Sequence, residues 1–506
     1  MTEPPKKLAR RGEPKEEQQQ VDVSVIVQFQ SATGDATGPQ LDIPHNVTPM
    51  QLEVLLNGLL NNEEKLPYSF YIEEQELLGE LGAHLGTHKL SVEKALRIVY
   101  QPQAVFRVRP VARCTSSIPG HSEAVLSVNF SPDGSMLASG SGDTTVRFWD
   151  LNTQTPKHEC KGHKNWVLVV AWSPDATHVA SGDMNGMIHL WDPKSGKMTG
   201  TCSGHGKWIT SLAWEPAHKA LPCLRFVSGS KDNMIKIWDA DTRRCVLSFS
   251  NHTQLVTAVK WGGEGLIYSA SRDCTISAWD ATDGKLVRIF KGHGHWVNTL
   301  ALSSEYVLRT GAYDHTGKAP ADLEDAKKKA AERYTEATSG RPERLVSGSD
   351  DFTLCLYEPS TSKTPTARMT GHVQLINQLQ LQVERRFTSP LCALPLRQVV
   401  FSPDGRYILS ASFDKAVKLW DGLKGTFLAT MRGHVGPVYQ VAWSSDSRMF
   451  CSGSKDSTLK VWDLRTRKLK VDLPGHSDEV FTVDWSPDGF TVASGGKDRV
   501  LKLWRH

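Results

Sequence analysis

The chain has 506 residues, too many for one ordinary domain at roughly 100–200 residues each. Lys plus Arg number 59 and Asp plus Glu 55, a net charge of +4 that excludes a broadly basic nucleic-acid coat or a broadly acidic chaperone. There is no run of about 18 apolar residues and no apolar signal core at the N-terminus, so neither a membrane span nor that route of secretion is expected. Nine Cys without a CxxC pair fit a reducing compartment, with thiols acting as small buried hydrophobes. The 15 Trp outnumber the 10 Tyr. An indole is costly to bury unless its N–H is paired, so so many Trp imply a systematic role.

Residues 1–20 are polar, with Lys6-Lys7, Arg10-Arg11 and Gln18–Gln20, and predict a disordered tail. Residues 21–103 carry a separate pattern. Val21–Phe29 alternates as a strand, and Gln40–Ile43 can pair back on it. Thr48-Pro49-Met50-Gln51 is a capping box with Pro at the first helical position, and Val47 and Leu52 can form a hydrophobic staple. Leu52, Leu55, Leu56 and Leu59 make one helix face, and Tyr68–Ile72 and Leu96–Tyr100 read as later strands. The order strand, strand, helix, strands predicts a small α+β ubiquitin-like (β-grasp) domain. It has no diglycine tail, so conjugation is not expected.

From residue 104 onward the Trp reveal a period. Trp149, Trp191, Trp238, Trp279, Trp420, Trp462 and Trp504 close similar segments, and Tyr357 takes the place of Trp in an eighth. Six positions before each aromatic stands Asp143, Asn185, Asp232, Asp273, Asp351, Asp414, Asp456 or Asp498. Earlier in each segment stands His121, His163, His205, His252, His293, His372, His434 or His476, at steps of 42, 42, 47, 41, 79, 62 and 42 residues. Such a GH…WD period resembles the WD-repeat propeller, with four short strands per blade, and predicts eight blades over 104–506. The resemblance implies a hydrogen-bonded tetrad of His, a strand Ser or Thr, Asp and Trp in each blade, as in His121/Asp143/Trp149, His163/Trp191 and His205/Asp232/Trp238. A Ser/His/Asp set invites a hydrolase reading, but an active site does not occur eight times, and no GxSxG, P-loop or HExxH is present. The expected fold is mainly β, and the expected function is not enzymatic. The last repeat stops after its third strand, so residues around 107–117 are expected to supply the missing fourth strand and leave no free edge.

Three spacings are long. The third repeat has five extra residues near Ala217–Leu224. The fifth has an insertion at about 315–343, in which Ala319–Thr338 reads as a charged helix with i,i+4 pairs Glu324/Lys328 and Asp325/Lys329 and an apolar stripe of Leu323, Ala326, Ala330 and Tyr334. It is either a solvated helix on its own blade or a docking element. The sixth has an insertion at 378–398 inside an inner strand, read as a retained intron or gene-model artefact, or as a loop leaving the strand.

A ubiquitin-like domain ahead of an eight-bladed propeller resembles the Notchless family of ribosome-assembly factors. The stretches that carry the likeness include Tyr100–Val111, Gly162–Val167, Gly311–Lys318 and Val471–His476. The resemblance implies residence on nuclear and nucleolar precursors of the large ribosomal subunit, near the 5S ribonucleoprotein and other assembly factors. It implies that residues 21–103 are gripped by midasin, an AAA-type ATPase, whose metal-ion-dependent adhesion site holds Mg²⁺. The family's ligand to that ion is a Glu seven residues before Tyr-x-Pro; here this is Glu93, ahead of Tyr100 and Pro102. No intrinsic cofactor is implied. A Glu is chemically apt, because Mg²⁺ takes oxygen ligands and often binds through one or two carboxylates plus waters.

The residue before each first inner strand should lie on the rim of one propeller face: Ala124, Trp166, Trp208, Leu255, Trp296, Leu375, Pro437 and Glu479. An exposed apolar ring with Trp166, Trp208 and Trp296 marks a partner site, unless the indoles tuck under neighbouring loops. Lys231, Arg272, Lys455 and Lys497 precede four of the turn Asp and can meet ribosomal RNA phosphate or acidic protein. A competing reading is a substrate adaptor in ubiquitin ligation or a scaffold in Notch-type signalling, for which no ligase-docking motif is visible.

Overall fold

The computed structural model describes residues 24–31, 36–60, 67–73, 75–77, 79–88 (side chains to 86), 95–102, 106–338, 340–372 and 398–506. The chain divides into two compact units, Met1–Val105 and Phe106–His506. The polar segment 1–20, Glu93, Leu375 and the sixth-repeat insertion up to residue 397 lie outside the described residues.

The first unit is a five-stranded mixed sheet of β1 (Ser24–Ser31), β2 (Ala36–Pro44), β3 (Tyr68–Ile72), β4 (Gln75–Glu76) and β5 (Leu96–Pro102), in the order β2-β1-β5-β3-β4. β1 and β5 run parallel at its centre, which is the β-grasp arrangement. The alternation in β1 buries Val25, Val27 and Phe29, and Leu52 and Leu56 of α1 (Pro49–Leu59) are buried in the same core. The N–H of Thr48 donates to Oε1 of Gln51 at 2.9 Å, one arm of the expected capping box. Val47 and Leu52 both enter the core, as a staple requires. Leu55 departs from expectation. It is 42% exposed, and the buried positions of α1 are Leu52, Leu56 and Asn57. A second helix, α2 (Leu81–His88), and the short β4 were not legible in the hydropathy pattern.

The second unit is a ring of eight four-stranded antiparallel sheets. In each described blade, inner-strand residues alternate toward the neighbouring blade; Val125, Val128 and Phe130 of the first are buried. The eighth blade is completed by β6 (Arg113–Pro119), which pairs with Val500–Arg505. The expectation had placed this strand some residues earlier. The segment before β6 instead runs to the ring with Val111 fully buried and the Ala112 N–H on the Arg505 carbonyl at 2.8 Å. The sixth blade's inner strand is Val399–Phe401, three residues, where the others run to six.

Because each sheet is a meander, the Gly-His loops and the Asp turns share one end of the ring. The Ser-Pro-Asp-Gly turns share the other. The fifth blade has no such short turn. Its inner strand, Val297–Leu302, leads instead into α3 (Glu305–Thr310), a loop, and α4 (Leu323–Thr338) before the chain returns at Leu345. The helix therefore begins later than the expected Ala319. Leu323 is 61% exposed, so the buried stripe is Ala326, Ala330 and the half-buried Tyr334. Asp325 pairs with Lys329 at 2.8 Å, but Lys328 faces Glu332 rather than Glu324.

Candidate functional site

The seven polar tetrads, and the His293–Ser347–Asp351 triad that stands in their place in the fifth blade, are architecture. In the first blade the Trp149 indole donates to Ser139 Oγ at 2.8 Å, Ser139 donates to His121 Nε2 at 2.7 Å, and His121 Nδ1 donates to Asp143 at 2.8 Å. The third blade repeats this through Trp238, Ser228, His205 and Asp232. The imidazoles are all buried, so each chain satisfies polar groups that have no access to water. The other carboxylate oxygen caps the turn, as where Asp143 accepts the Thr145 N–H at 2.9 Å. Burial would raise these carboxyls, but the hydrogen bonds and charge of His205 and His252, together with the turn hydrogen bonds, outweigh it and hold Asp232 and Asp273 down at about 2.

The second blade corrects the sequence reading. Asn185 occupies the expected position but is not the acid. Asp183 is, accepting from His163 Nδ1 at 3.0 Å, while His163 and Trp191 both meet Ser181 Oγ. Asn185 instead accepts from Asn165 Nδ2 at 3.0 Å on the surface. In the fifth blade the fully buried Tyr357 fills the place of the indole.

At the end of the ring that carries these turns, the structure pairs residues that the sequence had put on separate lists. The Lys231 ammonium lies 3.9 Å from the centre of the Trp208 ring, within one blade. The Arg272 guanidinium lies 4.3 Å from Trp296, across the boundary to the next blade. Trp166 covers the Gly142 turn of the preceding blade, so closely that a Cβ there would stand 3.3 Å from its indole. All three Trp are half-buried. They are neither a free apolar ring nor tucked wholly out of reach. Two are faced by cations. Burial depresses the Arg272 guanidinium, against the pull of Asp350, and its Nε has no hydrogen-bond partner.

Lys455 and Lys497 differ. They face Glu479 at 3.8 Å and Asp478 at 3.3 Å, so their charge is partly spent within the rim. Ala124 is buried, which removes it from the ring. Around the mouth, Leu126, Leu168, Tyr439 and Phe481 form an apolar arc with Trp166, beyond which stand the two cation–Trp pairs.

The opposite end is covered. From α3, Arg309 Nη1 reaches Asp484 of the eighth blade at 2.9 Å, and Asp484 also accepts the Phe130 N–H of the first blade. Gly317, at a φ of +66°, lies so close to the first blade's turn that a Cβ would stand 2.6 Å from the Asp133 carbonyl. Tyr334 of α4 stacks on His218 of the third blade at 4.5 Å, and Ala330 packs with Ala217 and Cys223. The small third-blade loop is thus the seat of α4. Arg344 bonds the Gly405 and Gly422 carbonyls of the sixth blade. The insertion therefore keeps a solvated outer face but is not confined to its own blade; its inner face straps the ring's end.

Comparison with known proteins bears on both units. Residues 25–85 match the NLE (NUC135) domain, and seven segments between 112 and 505 match the WD domain, G-beta repeat. The Notchless protein homolog of Arabidopsis thaliana is 59% identical over 405 residues, 80% of this chain and 81% of its own. Protein Notchless of Drosophila melanogaster is 49% identical, covering 72% and 76%. Ribosome assembly protein 4 of Saccharomyces cerevisiae is 47% identical, covering 80% and 79%. The chain belongs to the Notchless and ribosome assembly protein 4 family. Among solved structures, the computationally designed Ika8 protein matches with a TM-score of 0.57 at 24% identity, covering 78% of this chain and all of its own; that likeness concerns the fold alone. The seven matched WD segments leave out the fifth blade, where family members would have to be aligned through the strap and past Tyr357.

Proposed function

We propose that the protein is a non-enzymatic assembly factor of the large ribosomal subunit, acting on nuclear and nucleolar precursors. Its β-grasp unit docks on the adhesion site of midasin, and its propeller anchors to the particle. The observation that supports this reading is that relatives named for ribosome assembly match across most of the chain, at 47% identity over 431 residues in the yeast case.

In this reading Glu93 completes the coordination of a Mg²⁺ held by midasin. It lies in the segment between α2 and β5, seven residues before Tyr100. Tyr100 itself is packed half-buried against the core of the unit, its hydroxyl 2.8 Å from Thr37 Oγ1 and its ring edge-on to Tyr68. A single carboxylate on a segment leading into a central strand suits an ion held by another protein. Among the described residues no group of three or more His, Cys, Asp and Glu is placed to hold a metal ion. Hard Mg²⁺ prefers oxygen at about 2.0–2.1 Å, so Asp would fall a methylene short and Gln would lack the charge.

The test is capture of the full chain by midasin's metal-binding domain with and without Mg²⁺. Binding should require the ion and be lost in Glu93→Ala and Glu93→Asp, while pre-ribosome association persists. Undiminished capture of Glu93→Ala overturns the assignment.

A further inference from the structure

We propose that the blade-five insertion is a clamp on the segment joining the two units, which shields the ring-closing strand β6 from movement of the N-terminal unit. Ring closure depends on β6, a strand delivered from the N-terminal side of the propeller and paired with the last strand of the chain. Any displacement of residues before 106 is passed along the backbone toward that strand. Six residues separate Phe106 from Arg113, the first residue of β6. At their far end Val111 is buried, and Ala112 is tied to Arg505. The Val108 N–H donates to Asp446 Oδ2 at 2.9 Å, and its side chain fills the space beside Gly489, where a Cβ would stand 2.5 Å from it. At the near end, the first residue of the propeller unit is held by the insertion. Phe106 stacks on His315 with ring centres 3.9 Å apart and planes 11° from parallel.

The loop that carries His315 is held from several sides. Arg333 of α4 donates to the Gly311 carbonyl at 2.7 Å and to the Tyr313 carbonyl. Asp314 Oδ1 accepts the Thr316 N–H at 2.8 Å, turning the chain beneath the imidazole. Gly317 rests against the first blade and Arg309 against the eighth. The loop that carries His315 is thus braced on the blades that β6 closes, so a pull on Phe106 is shared with the insertion before it reaches β6. An aromatic pair contributes about 0.5–1.5 kcal/mol beyond burial, which corresponds to about two- to tenfold in a local opening equilibrium. The significance of shielding for a factor gripped through its N-terminal unit rests on the function proposed above; the clamp itself does not.

The linker carries its own probe. Arg107 is exposed, but trypsin needs an extended segment to cut, so cleavage of the Arg107–Val108 bond reports release of the clamp; Arg109 precedes Pro110 and is not a tryptic site. In the full-length chain, His315→Ala and Phe106→Ala should each raise the cleavage rate after Arg107 about two- to tenfold. His315→Phe, which keeps a flat ring on Phe106, should restore the wild-type rate. The thermal midpoint of the propeller serves as the control and should move little. Equal cleavage rates in wild type and both alanine variants overturn the clamp, as does a rise in only one of the two. Neither result touches the Mg²⁺-dependent capture described above, so the two proposals fail separately.

Discussion

Asp183 accepts the hydrogen bond of the His163 Nδ1–H at 3.0 Å, from a position two residues earlier in its turn than Asp143 has in the first blade. Its other oxygen accepts the N–H groups of Asn185 and Met187, both at 2.9 Å. Asp183→Ala would strand a buried imidazole donor and two turn amides, at a cost of about 2–3 kcal/mol. Asn185→Ala loses only a surface contact and should stay within about 0.5 kcal/mol of wild type. The unfolding midpoint of the propeller transition checks both. An Asn185 variant as damaging as the Asp183 variant would show that the acid is misassigned.

Spacing alone could not have found Asp183. Counting back from Trp191 reaches the same turn in every blade, but which residue of the turn points at the imidazole depends on local backbone, here a turn tightened by Gly186 at a φ of +82°. The period of His, Asp and Trp was legible because a repeat multiplies a weak signal. Pairings between repeats were not. Trp208 and Lys231 stand on different strands of one blade, and Arg272 and Trp296 on different blades, so neither pair leaves a periodic trace. The insertion read as a helix because amphipathicity is local. Its seat on Ala217, His218 and Gly263 is set by the ring, although the extra third-blade residues were a signal that something fills that end.

The turn carboxylates make the propeller acid-sensitive over a definite window. Asp232 and Asp273 are held at about 2 in the folded protein against an ordinary value of 3.8, so the unfolded chain binds more protons. Their stabilisation is complete above the unfolded value and is lost as pH falls from 3.8 toward 2. Intrinsic Trp fluorescence followed through an acid titration should therefore show the propeller transition below about pH 4. Asp273→Asn should make it shallower, since one proton-linked site is gone. A transition unchanged in steepness would assign acid sensitivity to other groups.

On the rim, the cation–Trp contacts are worth about 1 kcal/mol each at half-exposed sites, too little to hold the fold. Combining Trp208→Ala with Lys231→Glu should leave the thermal midpoint within a few degrees while removing the chain from large-subunit precursors on a sucrose gradient. Comigration of the double variant with those particles would exclude this arc as the anchoring surface. Wild-type protein found only in light fractions with ligase subunits would favour the adaptor reading instead.

Gly263 decides whether α4 can lie where it does. A Cβ at this position would stand 2.1 Å from Cε2 of Tyr334, the ring that stacks on His218. The backbone there cannot easily move aside, because the Gly263 carbonyl accepts from His218 Nε2 at 2.9 Å and its N–H donates to Glu343 at 3.2 Å. Gly263→Ala should therefore cost about 1–3 kcal/mol by overpacking. Gly206→Ala, with open space around it, should be nearly silent. If the collision with Tyr334 is the cause, Tyr334→Ala must absorb it. The double variant should be no less stable than Tyr334→Ala alone, a non-additivity of at least about 1 kcal/mol. Strict additivity of the two losses in denaturant midpoints would place the Gly263 effect in the backbone and leave α4 without its seat on the fourth blade.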